Sequence, residues 1–212
     1  AMRRPLPATT DALWSAIDRK VRNQVRKAQK EGLEATTGGA ELVDEFYRVF
    51  SQNMRDLGTP VYPKRLFSDT LRLFPTRARV ALVRHSGQAV AAGIVIAFRD
   101  TVLNPWASSL REYRHLCPNM LLYWTLLERA VQDGATVFDF GRSSPGGGTH
   151  QFKLQWGATE TPLHWEYALI SRREPPDQGP SNPKFERAIR VWQRLPLKVA
   201  NLMGPYIARQ LP

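Results

Sequence analysis

The sequence predicts an α/β fold in which a mixed central sheet is flanked by helices. Three patterns along the chain indicate it: helical hydrophobic spacing over residues 11–74, β-branched and small apolar residues over 78–109, and alternating helix and strand patterns after residue 118. Helices that precede and follow a run of strands cover the faces of the sheet that those strands form. With 212 residues, the chain is long enough for one sizeable core.

The first predicted helix extends from Asp11 to about Gln29, between an N-cap at Thr10 and a stop at Gly32. Its apolar residues recur at helical spacing. Cations cover much of the remaining surface, and four of them are candidate phosphate or RNA contacts: Lys20, Arg22, Arg26 and Lys27. Such a face is either solvated or bound to phosphate, and the sequence leaves both interpretations open.

Three further helices are predicted, at residues 40–57, 63–74 and 119–133. Gly58 and Gly134 supply the stops that follow the first and the last of them. Pro118 suits the first turn of the third, which is apolar on most sides and is therefore predicted to be buried.

Strands are predicted at residues 78–85, 88–99 and 101–109. Ser86-Gly87 joins the first two as a hairpin turn. The small residues 91–93 in the second strand either permit a close approach of another backbone or mark a bulge.

The C-terminal part begins with an aromatic-rich strand predicted at Leu163–Ile170. The tail 184–211 is basic and amphipathic, and Pro196 and Gly204-Pro205 are expected to interrupt it. Docking on the core, docking on a partner and membrane-surface association all fit this tail, and the break at Pro196 favours docking. Four segments are predicted: a basic helical segment at 1–34, the main α/β domain at 35–171, a linker at 172–183 and the tail at 184–212.

The whole chain is organised around residues 135–157, which are predicted to form a short buried strand, a glycine-rich loop and a short helix. Gly146, Gly147 and Gly148 leave the loop nearly without side chains, so a ligand can approach its backbone. Thr149 is the predicted N-cap of the helix. Backbone N–H groups at that helix start, together with Arg142 and Lys153, predict an anion site. A plain flexible loop is the alternative, and the glycine spacing fits neither a nucleotide P-loop nor a dinucleotide fingerprint.

Composition favours a polyanionic partner, because the net charge is +11 and the pI is about 10.3. RNA, an anionic membrane face and phosphorylated substrates are the possible partners, beside a merely basic surface. One cysteine, Cys117, and the lack of an apolar leader predict a reducing, cytoplasmic location, with contact at the inner membrane face as an option. Cys117 is expected to pack or cap a helix rather than act as a nucleophile. No metal site is predicted, since no metal-ligand spacing occurs.

Three separated motifs carry a resemblance to a known family: Lys20 to Ala28, Asn53 to Val61, and Asp139 to Ser143 leading to Phe152-Lys153 and Trp156-Gly157. Together they resemble the FemAB-like acyltransferases, in particular the branch associated with exosortase/PEP-CTERM and exopolysaccharide systems. The resemblance implies a GNAT-type acyltransferase fold for residues 35–171. It also implies that this chain matches the second of two such halves, with an N-terminal half missing.

Classical members of that family transfer an amino acid from aminoacyl-tRNA to an amine of a peptidoglycan precursor. Their Phe-Lys lysine lies at the active site, and Lys153 occupies that position here. Acyl-CoA is the other co-substrate that the fold implies, and no permanently bound cofactor is expected. The usual GNAT pyrophosphate-loop pattern is missing, because Arg111–Leu116 occupies the strand-to-helix junction without a glycine.

Acyl transfer to an amine needs a deprotonated nucleophile and a stabilised oxyanion, and three residues are candidates for the catalytic roles. Lys153 would stabilise the oxyanion or bind donor phosphate, Asp139 would orient a cation or accept a proton, and His150 would act as a general base. Candidate substrate contacts are Arg142, Ser143, Gly146, Gly147, Gly148 and Thr149. The predicted function is N-acyl or aminoacyl transfer to an envelope or exopolysaccharide precursor. The alternative is a non-catalytic basic module, or a half-protein, that binds RNA or an anionic surface.

Overall fold

The computed structural model describes residues 1–164, 166, 168, 170 and 186–210. The predicted linker at 172–183 therefore lies outside the described residues. The chain divides into two compact units: Ala1–Phe50 with Lys64–Thr161, and Ser51–Pro63 with Pro162–Pro212.

A mixed sheet with the strand order β2-β3-β4-β5-β6-β1-β7 forms the centre of the first unit. Its strands are β1 (Met2–Pro5), β2 (Leu33–Gly38), β3 (Ala78–His85), β4 (Gln88–Phe98), β5 (Thr101–Ser109), β6 (Val137–Asp139) and β7 (Thr159–Glu160). The helices are α1 (Thr10–Ala16), α2 (Arg19–Lys30), α3 (Val43–Leu57), α4 (Lys64–Leu73), α5 (Pro118–Gln132), α6 (Gly148–Gln155), α7 (Glu186–Gln193) and α8 (Leu197–Ala208). β5 and β6 are parallel and the other neighbours are antiparallel. The predicted mixed sheet with flanking helices is confirmed.

The single helix predicted over Asp11–Gln29 is wrong, because α1 and α2 are separate helices. Ile17 adopts extended backbone, and the Asp18 carboxylate accepts from the Lys20 N–H at 2.6 Å. A side-chain oxygen at that position caps a new helix, so the chain restarts rather than continues. The first N-cap is Thr9 instead of Thr10, with its hydroxyl accepting from the Ala12 N–H.

Two strands were not predicted from the first 38 residues. β1 inserts between β6 and β7 and alternates buried and exposed residues, with Arg3 opposite Asp139. β2 pairs along the free side of β3, from Leu33 opposite His85 to Gly38 opposite Val80. β1 contains two arginines and a proline, and β2 contains a glutamate and a glycine, so the strand pattern of each segment is weak without a partner strand.

The predicted hairpin between β3 and β4 is confirmed, with positive φ angles of 50° at Ser86 and 77° at Gly87. Gly93 in β4 is a close-approach position, because a Cβ there would meet the Trp106 carbonyl oxygen at 3.3 Å and Leu126 of α5 at 3.4 Å. The helix predicted at 119–133 is also confirmed as α5, with Pro118 in its first turn.

The core of the first unit lies between this sheet and its helices. Tyr123 of α5 stacks on Phe140 and meets Phe152 edge-on, at 5.7 and 4.9 Å between ring centroids. Trp156, just after α6, is fully buried beside them. Burial raises the pKa of the Tyr123 hydroxyl. These contacts fix α6 against the sheet.

The strand predicted at Leu163–Ile170 is wrong for the residues of that segment that are described, since none of them is in a strand. Trp165, Tyr167 and Leu169 lie outside the described residues. The last strand of the sheet is β7, which lies before the predicted segment and pairs with β1 through two residues.

The second unit contains the end of α3 together with α7 and α8. Gly58, at a φ of +80°, ends α3 as predicted, and the N–H groups of Gly58 and Thr59 bond to the carbonyls of Arg55 and Met54. Pro196 is the N-cap of α8. The interruption predicted at Gly204-Pro205 is wrong, because α8 continues through both residues to Ala208. A proline so close to the helix end removes one backbone hydrogen bond without ending the helix.

Gly204→Ala is expected to destabilise the second unit by about 1–3 kcal/mol. A Cβ at Gly204 would lie 2.9 Å from both the nitrogen and the oxygen of the Val61 backbone, which no side-chain rotation relieves. Urea denaturation measures the loss. Gly148→Ala is the control, because a Cβ there meets nothing within 4 Å; equal losses in the two variants would contradict the packing argument.

Candidate active site

A fork in the sheet forms the centre of the site. β5 and β6 pair in parallel from Thr101 opposite Val137 to Leu103 opposite Asp139, and the pairing ends there. β5 continues to Ser109 beside β4 alone, while the chain after β6 bonds to β1 through Phe140 and Gly141. The two parallel strands therefore leave unpaired backbone beyond Leu103 and Asp139, which is where an α/β sheet offers a ligand its crevice.

Asn104 braces this fork at a bulge of β5. Asn104 and Pro105 together oppose Val95, so β5 carries one extra residue. The buried Asn104 amide donates to the carbonyls of Ile94 at 2.8 Å and Trp106 at 3.1 Å. Proline has no N–H to lose from the ladder, which makes it compatible with a bulge.

Asp139 ends β6 and has both carboxylate oxygens occupied. Oδ1 accepts from the Gly141 N–H at 2.7 Å, and Oδ2 accepts from Arg3 Nε at 2.8 Å. Gly141 follows at a φ of +76°, a conformation that favours glycine. The carboxylate thus fixes the turn at Gly141 and ties the end of β6 to β1.

The glycine-rich loop leads from Gly141 into α6. The N-cap of α6 is Gly147 and no side chain caps the helix, so the prediction of Thr149 as N-cap is wrong. Gly147 already has the extended backbone of a cap, and Thr149 lies inside the first turn. As a result no described side chain caps the first N–H groups of α6. Gly146, at a φ of +76°, is the loop position that requires glycine.

Lys153 is a buried cation on α6, with 7% of the residue exposed. Its ammonium donates to the Arg142 carbonyl oxygen at 2.7 Å. Burial lowers the pKa of Lys153, and the nearby charge of Asp139 opposes part of that lowering. One of its three N–H donors holds the start of the loop, and no described residue accepts from the other two, which suits the ammonium to an oxyanion or a phosphate.

His150 holds the other end of the loop. Its Nδ1 accepts from the Gly146 N–H at 3.3 Å, and its Nε2 lies 2.7 Å from Glu160 Oε1. An accepting Nδ1 assigns the proton to Nε2, so the ring donates to Glu160. Both nitrogens of the predicted general base are thus engaged, and His150 connects the loop to β7.

Ser143 and Arg142 belong to the same loop. The Ser143 hydroxyl oxygen is buried and has no hydrogen-bond partner among the described residues. A buried polar atom of this kind calls for a partner that the described residues do not supply. Arg142 is exposed, while its carbonyl is fixed by Lys153.

The segment that precedes α5 contains no glycine-rich loop that could bind a pyrophosphate group. Arg111–Leu116 forms a 3-10 helix, and Cys117 follows in the left-handed region at a φ of 58°. Pro118 has no N–H, and the Met120 N–H already bonds to the Cys117 carbonyl. Few backbone donors remain there for a pyrophosphate group.

The four candidate phosphate contacts of α2 divide into two pairs. Arg22 donates to the carbonyls of Trp14 and Ser15, and Arg26 lies 5.4 Å from the centroid of a Trp14 ring, so both support α1. Lys20 and Lys27 are exposed and line an open surface groove together with Arg19. These three exposed side chains form the cationic face of α2.

Sequence reasoning missed three residues that shape the site: Arg3, Asn104 and Glu160. Each acts through a partner far along the chain or on another strand, and Arg3 is 136 positions from Asp139. Only the Asn104-Pro105 pair gave a local sign, since proline in a strand marks a bulge or an edge.

Across the described ranges, no three His, Cys, Asp or Glu side chains come close enough together to hold a metal ion. None of the described helices combines the length and hydrophobicity that a bilayer crossing requires.

The fork, the loop and the buried lysine occur on a sheet whose pattern is that of GNAT-type acetyltransferases. The family model described as "Acetyltransferase (GNAT) domain" matches residues 17–154. The chain therefore belongs to the GNAT acetyltransferase family. No curated protein matches the sequence significantly.

Solved structures of the same fold agree with this assignment. FemX superposes with a TM-score of 0.67 and 16% identity, over 74% of this chain and 58% of its own. The C-terminal DUF2156 domain of a putative lysylphosphatidylglycerol synthetase from Agrobacterium fabrum gives 0.54 and 13%, over 69% of this chain and 55% of its own. The aminoglycoside acetyltransferase AAC(6')-Iy, bound to a bisubstrate CoA analogue, gives 0.52 and 11%, over 65% and 98%. The chain thus spans little more than half the length of the first two.

Proposed function

We propose that this chain is the acyltransferase module of a protein that transfers an acyl or aminoacyl group to an amine of a cell-envelope or exopolysaccharide precursor. The observation that carries the proposal is the buried Lys153 ammonium at the fork between β5 and β6. The orphaned Ser143 hydroxyl in the same loop supports a substrate there. The resemblance to FemAB-like acyltransferases supports the class of acceptor, and an upstream half and contact with the inner membrane face belong to the same proposal.

In the proposed reaction the acceptor amine attacks the acyl carbonyl carbon and forms a C–N bond. The carbonyl electron pair moves onto oxygen, and the two free N–H donors of Lys153 stabilise that oxyanion. When the oxyanion collapses, the bond to the donor breaks, with the ribose oxygen of tRNA or the sulfur of CoA as leaving group. The proton lost by the amine passes to the leaving group through a base.

Two observations favour aminoacyl-tRNA over acyl-CoA as the donor. Three cations of α2, Arg19, Lys20 and Lys27, line one surface groove, and Asp18 is the single carboxylate that lines it with them. The start of α5 offers few backbone N–H groups for a pyrophosphate. Aminoacyl-tRNA is therefore the donor that we propose.

Lys20→Gln with Lys27→Gln is expected to weaken tRNA binding and to reduce the slope of log K against log salt by about 1.5–2. Each lysine that no longer neutralises a phosphate releases one counterion fewer. Filter binding of charged tRNA over a series of NaCl concentrations measures both changes. Arg65→Gln with Arg72→Gln removes the same charge from α4 and is the control; an unchanged slope in the α2 variant would exclude α2 as the RNA contact.

The alternative function is a non-catalytic basic module, and the positive charge favours it. Salt-sensitive RNA binding by the full-length protein, with no acyl transfer to any amine supplied, is the result that would support this module. Transfer from either aminoacyl-tRNA or acetyl-CoA that depends on Lys153 supports the enzyme instead.

A further inference from the structure

The first unit contains a cavity that is separate from the candidate active site. It lies near the start of β5, whereas the fork lies beyond Leu103 and Asp139. Its volume is about 310 Å³, which is in the range of small-molecule sites. Residues at the end of β4, the start of β5 and the C-terminal end of α5 line it. The candidate active site uses none of these residues.

The rim of this cavity is strongly cationic. Four arginines and a single carboxylate line it: Arg77, Arg79, Arg99, Arg129 and Asp133. Asp133 accepts from both Nε and Nη2 of Arg129, at 3.0 and 2.9 Å, and lies 3.5 Å from Arg79. Asp133 therefore holds these two guanidinium groups in place at the rim.

Neither of the other two arginines forms an ion pair within 4 Å with a described carboxylate. The Arg77 side chain makes neither a hydrogen bond nor an ion pair with a described residue. Arg99 lies over the Phe98 ring at 5.3 Å from its centroid and interacts electrostatically with the adjacent Asp100. Asp100 accepts from the hydroxyls of Thr101 and Thr136, and these hydrogen bonds, more than the charge of Arg99, lower the pKa of its carboxyl. The rim thus carries four positive charges against one negative charge.

The floor of the cavity is apolar. Val95, Val102 and Leu126 form part of it, and Ala97 leaves room beside them. A purely inorganic anion would leave this surface without contacts. The combination of apolar floor and cationic rim selects a ligand that has both an anionic and an apolar part.

The backbone of Arg99 adopts a left-handed conformation that is unfavourable for this residue type. It has a φ of 55° in the turn between β4 and β5, where glycine or asparagine is the ordinary choice. The chain nevertheless places a long cation there, beside the cavity. Strained backbone at a rim residue agrees with a binding role for its side chain.

We propose that this cavity binds a phosphate monoester with a short apolar group. Guanidinium groups match the geometry of phosphate, and a dianion suits the surplus of positive charge better than a single carboxylate does. The phosphate lies against Arg77 and Arg99, and the apolar group lies on Val95, Val102 and Leu126. The proposal does not depend on the acyltransferase function, because the two sites share no residue.

Titration of the chain with n-butyl phosphate, followed by ³¹P NMR, tests the proposal. We expect binding at least tenfold tighter than that of inorganic phosphate or of hexanoate. Arg77→Gln with Arg99→Gln is expected to weaken it at least tenfold, while Arg65→Gln with Arg72→Gln leaves it unchanged. Ala97→Leu is expected to abolish the preference for butyl phosphate over inorganic phosphate by filling the floor.

Two further variants distinguish this cavity from the candidate active site and a binding role of Arg99 from a structural one. Lys153→Met should keep full binding, because Lys153 lies at the fork and not at this cavity. Arg99→Gly should lower the affinity without lowering the melting temperature, because glycine accepts the positive φ. Full affinity in the Arg77/Arg99 variant, an equal loss in the α4 control, or equal binding of hexanoate would overturn the assignment.

Discussion

Replacing Lys153 by methionine is expected to lower acyl transfer by the full-length protein by about 10²–10³-fold. Methionine keeps the length and apolar stem of the side chain but removes the ammonium that would stabilise the oxyanion. It also removes the hydrogen bond to the Arg142 carbonyl that fixes the start of the loop. Single-turnover rates with charged tRNA and with acetyl-CoA measure the loss for each donor.

The fold should survive this change. A buried ammonium is costly to desolvate, so an apolar replacement of similar volume is expected to be neutral or stabilising. Unchanged or higher melting temperature together with lost transfer therefore assigns the effect to the site. Lys64→Met is the matched control, because Lys64 is exposed and pairs only with Asp44 on the surface. Wild-type turnover in Lys153→Met would exclude Lys153 from the chemistry.

The lowered pKa of Lys153 also predicts the direction of a pH effect. If the ammonium is the active form, transfer declines as the pH rises through its folded pKa, below the ordinary value of 10.5. Between the folded and the unfolded pKa, the unfolded chain binds more protons, so this lysine makes stability rise with pH in that window. The methionine variant should lose this dependence of stability, which pH-resolved denaturation tests.

Trp156→Ala is expected to lower the free energy of unfolding of the first unit by about 3–5 kcal/mol. Trp156 is fully buried and its ring lies near those of Tyr123 and Phe152. Its removal leaves a cavity at the end of α6, the helix that carries Lys153. Thermal denaturation should show a fall of roughly 10 °C, at about 2–4 °C for each kcal/mol.

Two controls accompany this prediction. Tyr206→Ala removes an aromatic side chain that is 62% exposed and should change stability by less than about 0.5 kcal/mol. Trp156→Phe keeps most of the buried ring and should lose less than the alanine variant. A Trp156→Ala protein that unfolds within about 1 kcal/mol of the original would show that α6 does not depend on this core.

Local patterns allowed much of the fold to be predicted. The β3–β4 hairpin followed from Ser86-Gly87, α5 from Pro118 and its apolar run, and the end of α3 from Gly58. In each case the deciding residues are neighbours in the chain. The break between α1 and α2 was missed although it is local, because the side chain of Asp18 serves equally on a helix surface and as a cap.

The glycine-rich segment and Lys153 were also identified from the sequence, and the structure places them at the fork between β5 and β6. Their surroundings were not predictable. Arg3 reaches Asp139 across the sheet, and Glu160 reaches His150 from β7. The cavity beyond α5 likewise joins arginines from three separate segments.

By itself the sequence determined the class of fold, the β3–β4 hairpin, the buried helix, and the glycine-rich loop and short helix that carries Lys153, because hydrophobic period and turn chemistry act over a few residues. Only the tertiary structure decided that Met2–Pro5 forms a strand between β6 and β7, that β5 and β6 diverge at Asp139, and which side chains surround the lysine. Strand pairing across more than 130 residues depends on the whole core, and no short pattern along the chain encodes it.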